Sequence, residues 1–299
     1  MSLLEGRVAI VTGSGRGVGR AYALKLAEHG AKVVVNDLGA SAAGDGADLT
    51  PAQEVVEEIK ASGGEAVVNG SDVSNFEQAK AMVQQAVDTF GRLDILINNA
   101  GILRDRMLVN MTEDEWDTVI RVHLKGTFAP THHAANYWRF QSKAGEKVDA
   151  RVINTTSHSA LYANIGQVNY AAAKGGIASF SQVAARELQR IGVTVNAIAP
   201  RAETRMTQGL REWTPEQLER RDPEWIAAFV AWLASPEAHY VSGRVFEVWG
   251  FGITVAESWQ HGPSMEASKD PTTLGEGVAK ILKYARSNAG INPGEWLDP

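Results

Sequence analysis

The stretch Val8-Ala-Ile-Val-Thr-Gly-Ser-Gly-Arg-Gly-Val-Gly-Arg20 decides the fold of this chain. The stretch begins within an apolar, β-branched run, Arg7–Thr12, that is typical of a buried parallel strand. It ends at the start of a predicted helix, Arg20–His29. Between them lie four glycines, Gly13, Gly15, Gly17 and Gly19. Such a turn lets the backbone approach a pyrophosphate closely, and the helix N-terminus faces its negative charge. A glycine motif alone is a weak signal, but in this strand–turn–helix context it predicts a dinucleotide site.

A second stretch carries residues suited to proton transfer, namely Ser157, Tyr170 and Lys174. Tyr170 and Lys174 are four residues apart, so on a helix they share one face. An ammonium beside a phenol favours the phenolate, and we expect Lys174 to lower the pKa of Tyr170 from roughly 10. Tyr170 is then a candidate general acid/base, and Ser157 can hold a substrate oxygen near it.

Strand-like runs alternate with helical patterns along most of the chain. The predicted strands are Arg7–Thr12, Lys32–Asp37, Glu65–Asn69, Ile95–Asn98, Arg151–Thr155, Val193–Ala199 and Arg244–Val248. This alternation predicts an α/β fold, a doubly wound (Rossmann) parallel sheet of about seven strands flanked by helices. We expect one domain over residues 1–261, with a substrate lid near 201–222 and a C-terminal helical extension over 262–299. In that extension Asp270 can cap a helix that has Pro271 in its first turn. An apolar stripe at helical spacing follows, which we expect to dock on the body or on a neighbouring subunit: Leu274, Val278, Ile281, Leu282 and Ala285.

These motifs make the chain resemble the short-chain dehydrogenase/reductase family. The matching pieces are Thr12–Gly19, Asp72-Val73, Asn98–Gly101 and Ser157 with Tyr170-x-x-x-Lys174, in family order between about residues 6 and 250. A closer similarity to the (3R)-3-hydroxyacyl-CoA dehydrogenase unit of peroxisomal multifunctional enzyme type 2 rests on a further set of segments. They are Val33–Gly39, Asn98–Arg106, Arg121–Gly126, Arg205–Thr207 and Phe246–Val248.

The resemblance implies a set of residues that contact the cofactor. They are Gly13, Gly15, Arg16, Gly17, Val18, Gly19, Asp37, Asp72, Val73, Asn99, Ala100, Gly101, Tyr170, Lys174 and Pro200. Asp37 ends the second strand, where a carboxylate accepts hydrogen bonds from ribose hydroxyls and repels a 2′-phosphate. We therefore expect NAD rather than NADP, although Arg16 in the glycine loop is the kind of residue that accompanies NADP in this family.

Three further groups of residues have two readings each. His123 stands where the family usually has an asparagine that completes a proton relay, so it is either a catalytic residue or a satisfied core histidine. His158, beside Ser157, is either a further residue of the site or, as we expect, points away from it. The arginines of the predicted lid either meet coenzyme A phosphates or are solvated: Arg201, Arg205, Arg211, Arg220 and Arg221.

Composition narrows the classes of function. The chain has 299 residues, 44% of them apolar, and a net charge of −6, so no nucleic-acid face is expected. It has no cysteine, which excludes disulfides and thiolate metal sites, and its histidines lack metal-ligand spacing. We expect no membrane span, no signal peptide and no peroxisomal address at Leu297-Asp298-Pro299, hence a cytoplasmic enzyme, and a homodimer or homotetramer.

The predicted reaction interconverts a secondary alcohol and a ketone with NAD. The resemblance implies that Lys174 binds the nicotinamide ribose, and that the substrate pair is (3R)-3-hydroxyacyl-CoA and 3-oxoacyl-CoA. An NADPH-dependent 3-oxoacyl carrier protein reductase and a hydroxysteroid dehydrogenase are alternatives. A non-catalytic dinucleotide sensor is the alternative from another class, and the combination of Ser157, Tyr170 and Lys174 argues against it.

Overall fold

The computed structural model describes residues 2–41, 43–203, 213–257, 259–290 and 296–297. The chain divides into two compact units, Met1–Ala256 and Glu257–Pro299. The predicted motif Arg205–Thr207, Arg211 and the rest of residues 204–212 of the predicted lid lie outside the described residues.

The first unit is built on an eight-stranded sheet in the order β3-β2-β1-β4-β5-β6-β7-β8. The strands are β1 (Val8–Thr12), β2 (Lys32–Asn36), β3 (Ala66–Asn69), β4 (Ile95–Asn98), β5 (Ala150–Thr155), β6 (Val193–Pro200), β7 (Val245–Trp249) and β8 (Gly252–Ala256). All seven predicted strands are present and parallel. The eighth was not predicted: a tight turn at Gly250-Phe251 returns β8 antiparallel along β7 as an exposed edge strand, without the buried run that marks the others.

Helices cover both faces of this sheet. They are α1 (Gly17–Glu28), α2 (Thr50–Ala61), α3 (Phe76–Phe90), α4 (Glu113–Ile120), α5 (Gly126–Lys143), α6 (His158–Leu161), α7 (Val168–Leu188), α8 (Pro215–Glu219) and α9 (Pro223–Leu233). Alternate residues of β1 pack into separate cores, since Ala9 and Val11 contact the α1, α2 and α9 layer while Val8 and Ile10 contact the α3, α5 and α7 layer. A strand buried on both faces explains the uninterrupted apolar run.

The strand order reverses between β1 and β4, which are neighbours in the sheet. In doubly wound sheets, ligands bind beyond the carboxyl ends of the strands at such a switch point. The residues that follow Thr12 and Asn98 therefore lie where a ligand pocket is expected.

The second unit contains α10 (Leu274–Tyr284) and the short strands β9 (Asn288–Ala289) and β10 (Trp296–Leu297), which pair antiparallel. Asp270 caps a 3₁₀ turn, Pro271–Thr273, by accepting a hydrogen bond from the Thr272 backbone N–H at 2.9 Å, as its sequence position predicts. The predicted apolar stripe Leu274, Val278, Ile281, Leu282 and Ala285 follows α10 to its C-cap. Val278 is 40% and Leu282 60% exposed, and the docking of this stripe stays a prediction.

Candidate active site

A cavity of about 600 Å³ opens at the carboxyl ends of β1 and β4. Nearly all of the predicted cofactor and catalytic residues line it. They are Gly13, Arg16, Gly17, Val18, Gly19, Asp37, Asp72, Val73, Asn99, Ala100, Gly101, His123, Ser157, Tyr170, Lys174 and Pro200. Gly15 is the exception among the predicted set, because its backbone N–H is used to hold Asp37 instead.

Two glycines allow the loop after β1 to fold tightly. Gly13 has a φ of +62°, and a Cβ there would lie 2.7 Å from the Ala100 Cα. A Cβ on Gly19 would lie only 2.1 Å from the Gly13 carbonyl oxygen. Any side chain at these positions would push α1 away from β1 and β4. The N-cap residue Arg16 provides no side-chain hydrogen bond, so the first N–H groups of α1 can serve an anionic ligand.

The loop after β4 is tied to β1 by a shared hydroxyl. Thr12 Oγ1 accepts hydrogen bonds from the backbone N–H groups of Asn99 (2.9 Å) and Ala100 (3.1 Å). The Asn99 side chain donates to the carbonyl oxygens of Thr12 and Gly13, both at 3.0 Å. Asn98 instead points into the core and donates to Thr131 and Asn154, which is a structural role. Asn99 and its neighbours thus shape the cavity, while Asn98 anchors the sheet.

Asp37 joins the glycine loop to the loop that follows β2. Its Oδ2 accepts a hydrogen bond from the Gly15 N–H and its Oδ1 accepts one from the Gly39 N–H, both at 2.7 Å. Asp72, which also lines the cavity, accepts hydrogen bonds from both the N–H and the hydroxyl of Ser74, at 2.8 and 2.7 Å. Both carboxylates are therefore held rigidly in the cavity wall.

Ser157 and Tyr170 come together although thirteen positions separate them in the sequence. Ser157 is the N-cap of α6, Tyr170 lies in the first turn of α7, and both residues line the cavity. The expectation that the pKa of Tyr170 is lowered is wrong for this structure. Burial raises the pKa of Tyr170 above its usual value of 10, the Ser157 hydroxyl opposes this rise, and the Asp105 charge adds to it.

Lys174 lies one turn further along α7, and its Nζ is 5.7 Å from the centre of the Tyr170 ring. Its Nζ donates a hydrogen bond to the Thr155 carbonyl oxygen at 2.6 Å. Burial lowers the pKa of this ammonium from 10.5 to about 7, so its charge is lost as the pH rises through that value. Desolvation therefore outweighs the attraction that was expected to ionise the tyrosine.

His123 lies beneath the site in a π-turn, Arg121–Lys125, which interrupts the helical run between α4 and α5. Its Nε2 is 3.0 Å from the Ile102 N and 2.8 Å from the Ile102 O, and its ring meets Tyr170 edge-on at 5.1 Å. Burial lowers the pKa of His123 to about 3, so it is neutral at physiological pH. Its Nδ1 is buried and has no hydrogen-bond partner among the described residues.

Several cavity residues were missed by sequence reasoning. They are Asn36, Leu38, Ala40, Ser41, Gly44, Ser71, Ile102, Leu103, Asp105, Arg121, Val122, Thr155, Ser159, Asn164, Gln167 and Ala202. Gln167 donates to Asp105 at 2.7 Å and accepts from Asn164 at 2.8 Å, so two loops distant in sequence meet above Tyr170. The position of Gln167, nearly one helical turn before Tyr170, is the sequence feature that could have predicted its place in the cavity wall.

His158 is not among the cavity-lining residues, as expected. It lies 2.9 Å from a Glu247 oxygen and is buried behind Ser157. The described arginines of the predicted lid pack on aromatic rings, with Arg201 over Trp249 at 5.0 Å and Arg221 over Trp213 at 3.6 Å.

The described residues contain neither a candidate metal site nor a helix that could span a membrane. Within residues 2–41, 43–203, 213–257, 259–290 and 296–297, no group of three or more acidic or histidine side chains could hold a metal ion. Over the same residues, every helix is too short or too polar to cross a bilayer.

Known proteins share this sequence and fold. Residues 7–215 match the short chain dehydrogenase family. The hydroxyacyl-CoA dehydrogenase ChsB1 of Mycobacterium tuberculosis is 44% identical over 288 residues, which cover 91% of this chain and 87% of that protein. The peroxisomal multifunctional enzyme type 2 of Mus musculus is 43% identical over 245 residues, 82% of this chain and 32% of that protein. This chain thus spans about a third of that larger enzyme's length.

A solved structure agrees with these relatives. The crystal structure of a short chain dehydrogenase from Mycobacterium avium has a TM-score of 0.88 and 50% sequence identity, covering 98% of this chain and all of that one. The family match extends over more than half of the chain and includes the glycine loop, Ser157, Tyr170 and Lys174. The chain belongs to the short-chain dehydrogenase family and is an oxidoreductase that acts on a CH–OH group.

Proposed function

We propose that the protein interconverts (3R)-3-hydroxyacyl-CoA and 3-oxoacyl-CoA with NAD. The observation that carries this proposal is the placement of Ser157 and Tyr170 beside Lys174, in the wall of the same cavity as the glycine loop. The acyl-CoA substrate is supported by similarity to a relative named hydroxyacyl-CoA dehydrogenase. Because acyl-CoA compounds are intermediates of lipid metabolism, the proposal includes a role in lipid metabolism.

The cavity suits a dinucleotide. Gly13 and Gly19 allow the loop after β1 to pack tightly at the edge of the cavity, because a Cβ at either would collide with Ala100 or with the Gly13 carbonyl oxygen. The N-terminus of α1 favours the negative charge of a pyrophosphate there. When bound, the nicotinamide supplies the redox chemistry of the reaction. Asp37 is held by two backbone N–H groups with its negative charge in the wall, which supports NAD over NADP because a 2′-phosphate would be repelled.

Tyr170 is the proposed acid/base. Its raised pKa keeps the hydroxyl protonated at neutral pH, which suits donation of a proton to a ketone oxygen. In the direction of alcohol oxidation the phenol must first lose its proton, and the Lys174 ammonium is the cation placed to favour that loss. Ser157 orients the substrate oxygen against Tyr170. Removal of the phenol should cost on the order of 10²–10⁴ in rate.

His123 is proposed to take part in proton relay rather than only in packing. Its buried Nδ1 lacks a described partner and its ring lies against Tyr170, while its Nε2 is fixed by Ile102. A buried imidazole nitrogen left without a hydrogen bond costs about 1–3 kcal/mol, so a bridging group at this position would be favoured. Because the ring is neutral, His123 would relay a proton by accepting it at one ring nitrogen and releasing one from the other, without holding a positive charge.

A second candidate function is NADPH-dependent reduction of a 3-oxoacyl carrier protein. Arg16 lies in the cavity wall, where its guanidinium could pair with a 2′-phosphate. Fluorescence titrations with NADH and NADPH separate the two readings at the cofactor. Steady-state measurements of kcat/KM with 3-hydroxyacyl-CoA, 3-oxoacyl carrier protein and hydroxysteroid substrates distinguish the candidate functions by their substrate. Highest kcat/KM for a hydroxysteroid or a carrier-protein substrate would overturn the acyl-CoA proposal.

Assembly into a homodimer or homotetramer is also proposed. Large apolar side chains such as Phe140 and Val183 are 64% and 56% exposed on α5 and α7, which supports burial against another copy. Sedimentation velocity at several protein concentrations tests this, and a monomer at micromolar concentration would contradict it. Cytoplasmic location stays a prediction that imaging of the tagged protein can check.

A further inference from the structure

The short helix α6 carries Ser157 at one end and leads at the other into a loop that lines the cavity. Ser157 is its N-cap and Tyr162 its C-cap, and the next residues include the cavity-lining Asn164 and Gln167. A helix of one turn has little stability of its own, since nucleation is unfavourable. Something outside α6 must therefore hold the Ser157 backbone in its extended conformation, with φ −157° and ψ 150°.

Glu247 on β7 contacts both ends of α6. One carboxylate oxygen lies 2.9 Å from His158 Nε2, and the other accepts a hydrogen bond from the Tyr162 hydroxyl. The side chains of His158 and Glu247 are only 8% and 14% exposed. One buried carboxylate thus bridges the first residue and the C-cap of the helix across more than 80 positions of sequence.

We propose that Glu247 is a positioning residue that sets Ser157 by clamping α6 through His158 and Tyr162. The charge balance around the clamp supports this. Burial alone would raise the pKa of Glu247, but its contacts with His158 and Tyr162 and the nearby Arg201 charge lower it overall. Burial lowers the pKa of His158, so at neutral pH the clamp joins an ionised carboxylate to the Tyr162 hydroxyl, which donates to it, and to a neutral imidazole nitrogen 2.9 Å away.

The apolar variant Glu247→Leu removes both acceptors while keeping most of the volume. We expect kcat to fall on the order of 10- to 100-fold, because small displacements of a positioning group have costs of that size. The NADH Kd should stay within about two-fold of wild type, since the glycine loop is remote from the clamp. Glu247→Gln should restore most of kcat, because its amide can accept from Tyr162 and donate to His158 in its other tautomer.

A double-mutant cycle separates positioning of Ser157 from a general loss of structure. In the Ser157→Ala background, Glu247→Leu should change kcat less than about three-fold, because the group it positions is already absent. An equal loss in both backgrounds, or unchanged kcat in Glu247→Leu, overturns the proposal. If Glu247→Leu does not fold, the double variant His158→Asn/Tyr162→Phe removes the other half of the clamp and is subject to the same criteria.

The inference rests on the proposed function for its kinetic test, so hydrogen exchange provides a test that needs no substrate. The amides of Ala160 and Leu161 donate to the Ser157 carbonyl, and the Tyr162 amide donates to the His158 carbonyl. These three should exchange at least about ten-fold faster in Glu247→Leu and stay unchanged in the exposed control Glu224→Leu. Unchanged exchange in Glu247→Leu would refute the clamp, whereas a wild-type enzyme inactive on acyl-CoA would refute only the proposed function.

Discussion

Replacement of Asp37 by asparagine should move cofactor preference toward NADP at a measurable cost in stability. The carboxylate accepts the Gly15 and Gly39 N–H groups, one on each oxygen. Asparagine keeps one acceptor oxygen but turns an NH₂ group toward the other donor, so one charge-assisted hydrogen bond is lost. Because the side chain is only partly buried, we expect a cost of about 1–2 kcal/mol. For a domain of this size that lowers Tm by about 2–8 °C.

The shift in preference follows from the lost charge. At an assumed separation of about 5 Å and an effective dielectric constant of about 20–80, the repulsion of a 2′-phosphate charge is about 1–3 kcal/mol. The ratio of the NADPH Kd to the NADH Kd should therefore fall about 5- to 150-fold in Asp37→Asn. Adding Leu38→Arg should lower it further by providing a partner for the phosphate.

Fluorescence titration of both reduced cofactors, with melting curves recorded without cofactor, measures the two effects separately. Asp88→Asn, an exposed carboxylate on α3, is the matched control and should change neither. A wild-type enzyme that binds NADPH more tightly than NADH would refute the reasoning before any substitution. A Kd ratio within two-fold of wild type in Asp37→Asn would show that this charge does not select the cofactor.

Further substitutions test the remaining site assignments. Tyr170→Phe should reduce kcat on the order of 10²–10⁴ while NADH binding stays within a few-fold, and near-normal kcat would eliminate Tyr170 as acid/base. Lys174→Met should remove a pH dependence of folding stability. Because burial lowers the pKa of Lys174 to about 7, the stability of the wild type should rise relative to that of the variant between about pH 7 and 10. Denaturant unfolding that changes equally with pH in both proteins would contradict this. His123→Leu should lower both stability and kcat, whereas His123→Asn should retain more of each. Because the pKa of His123 in the folded protein is about 3, the stability of the wild type should fall as the pH drops below about 6.5. This fall in stability should be smaller in His123→Asn. Deletion of 264–299 should raise the KM for acyl-CoA or reduce assembly more than it weakens NAD binding, and unchanged kinetics with an unchanged oligomer in sedimentation would leave the tail as a stabilising appendage.

The local parts of this fold were predictable from the sequence because each depends on neighbours along the chain. The β-branched runs identified seven parallel strands, the glycine spacing placed the turn after β1, and the four-residue spacing placed Tyr170 and Lys174 on one helix. The edge strand β8 was not predicted because it is short, exposed and joined to β7 by a two-residue turn. Motif order along the chain also brought most of the predicted residues to one cavity, although many further residues that line it were missed.

The electrostatic character of the site was decided only by the tertiary structure. Sequence spacing suggested that Lys174 would lower the pKa of Tyr170, yet burial, which depends on the whole surrounding core, raises that pKa and lowers that of the lysine. The use of Asp37 as a backbone acceptor and the bridge from Glu247 to His158 join residues that are far apart in sequence. Desolvation and long-range contacts arise when separate elements pack together, so neither is encoded in any one stretch of residues.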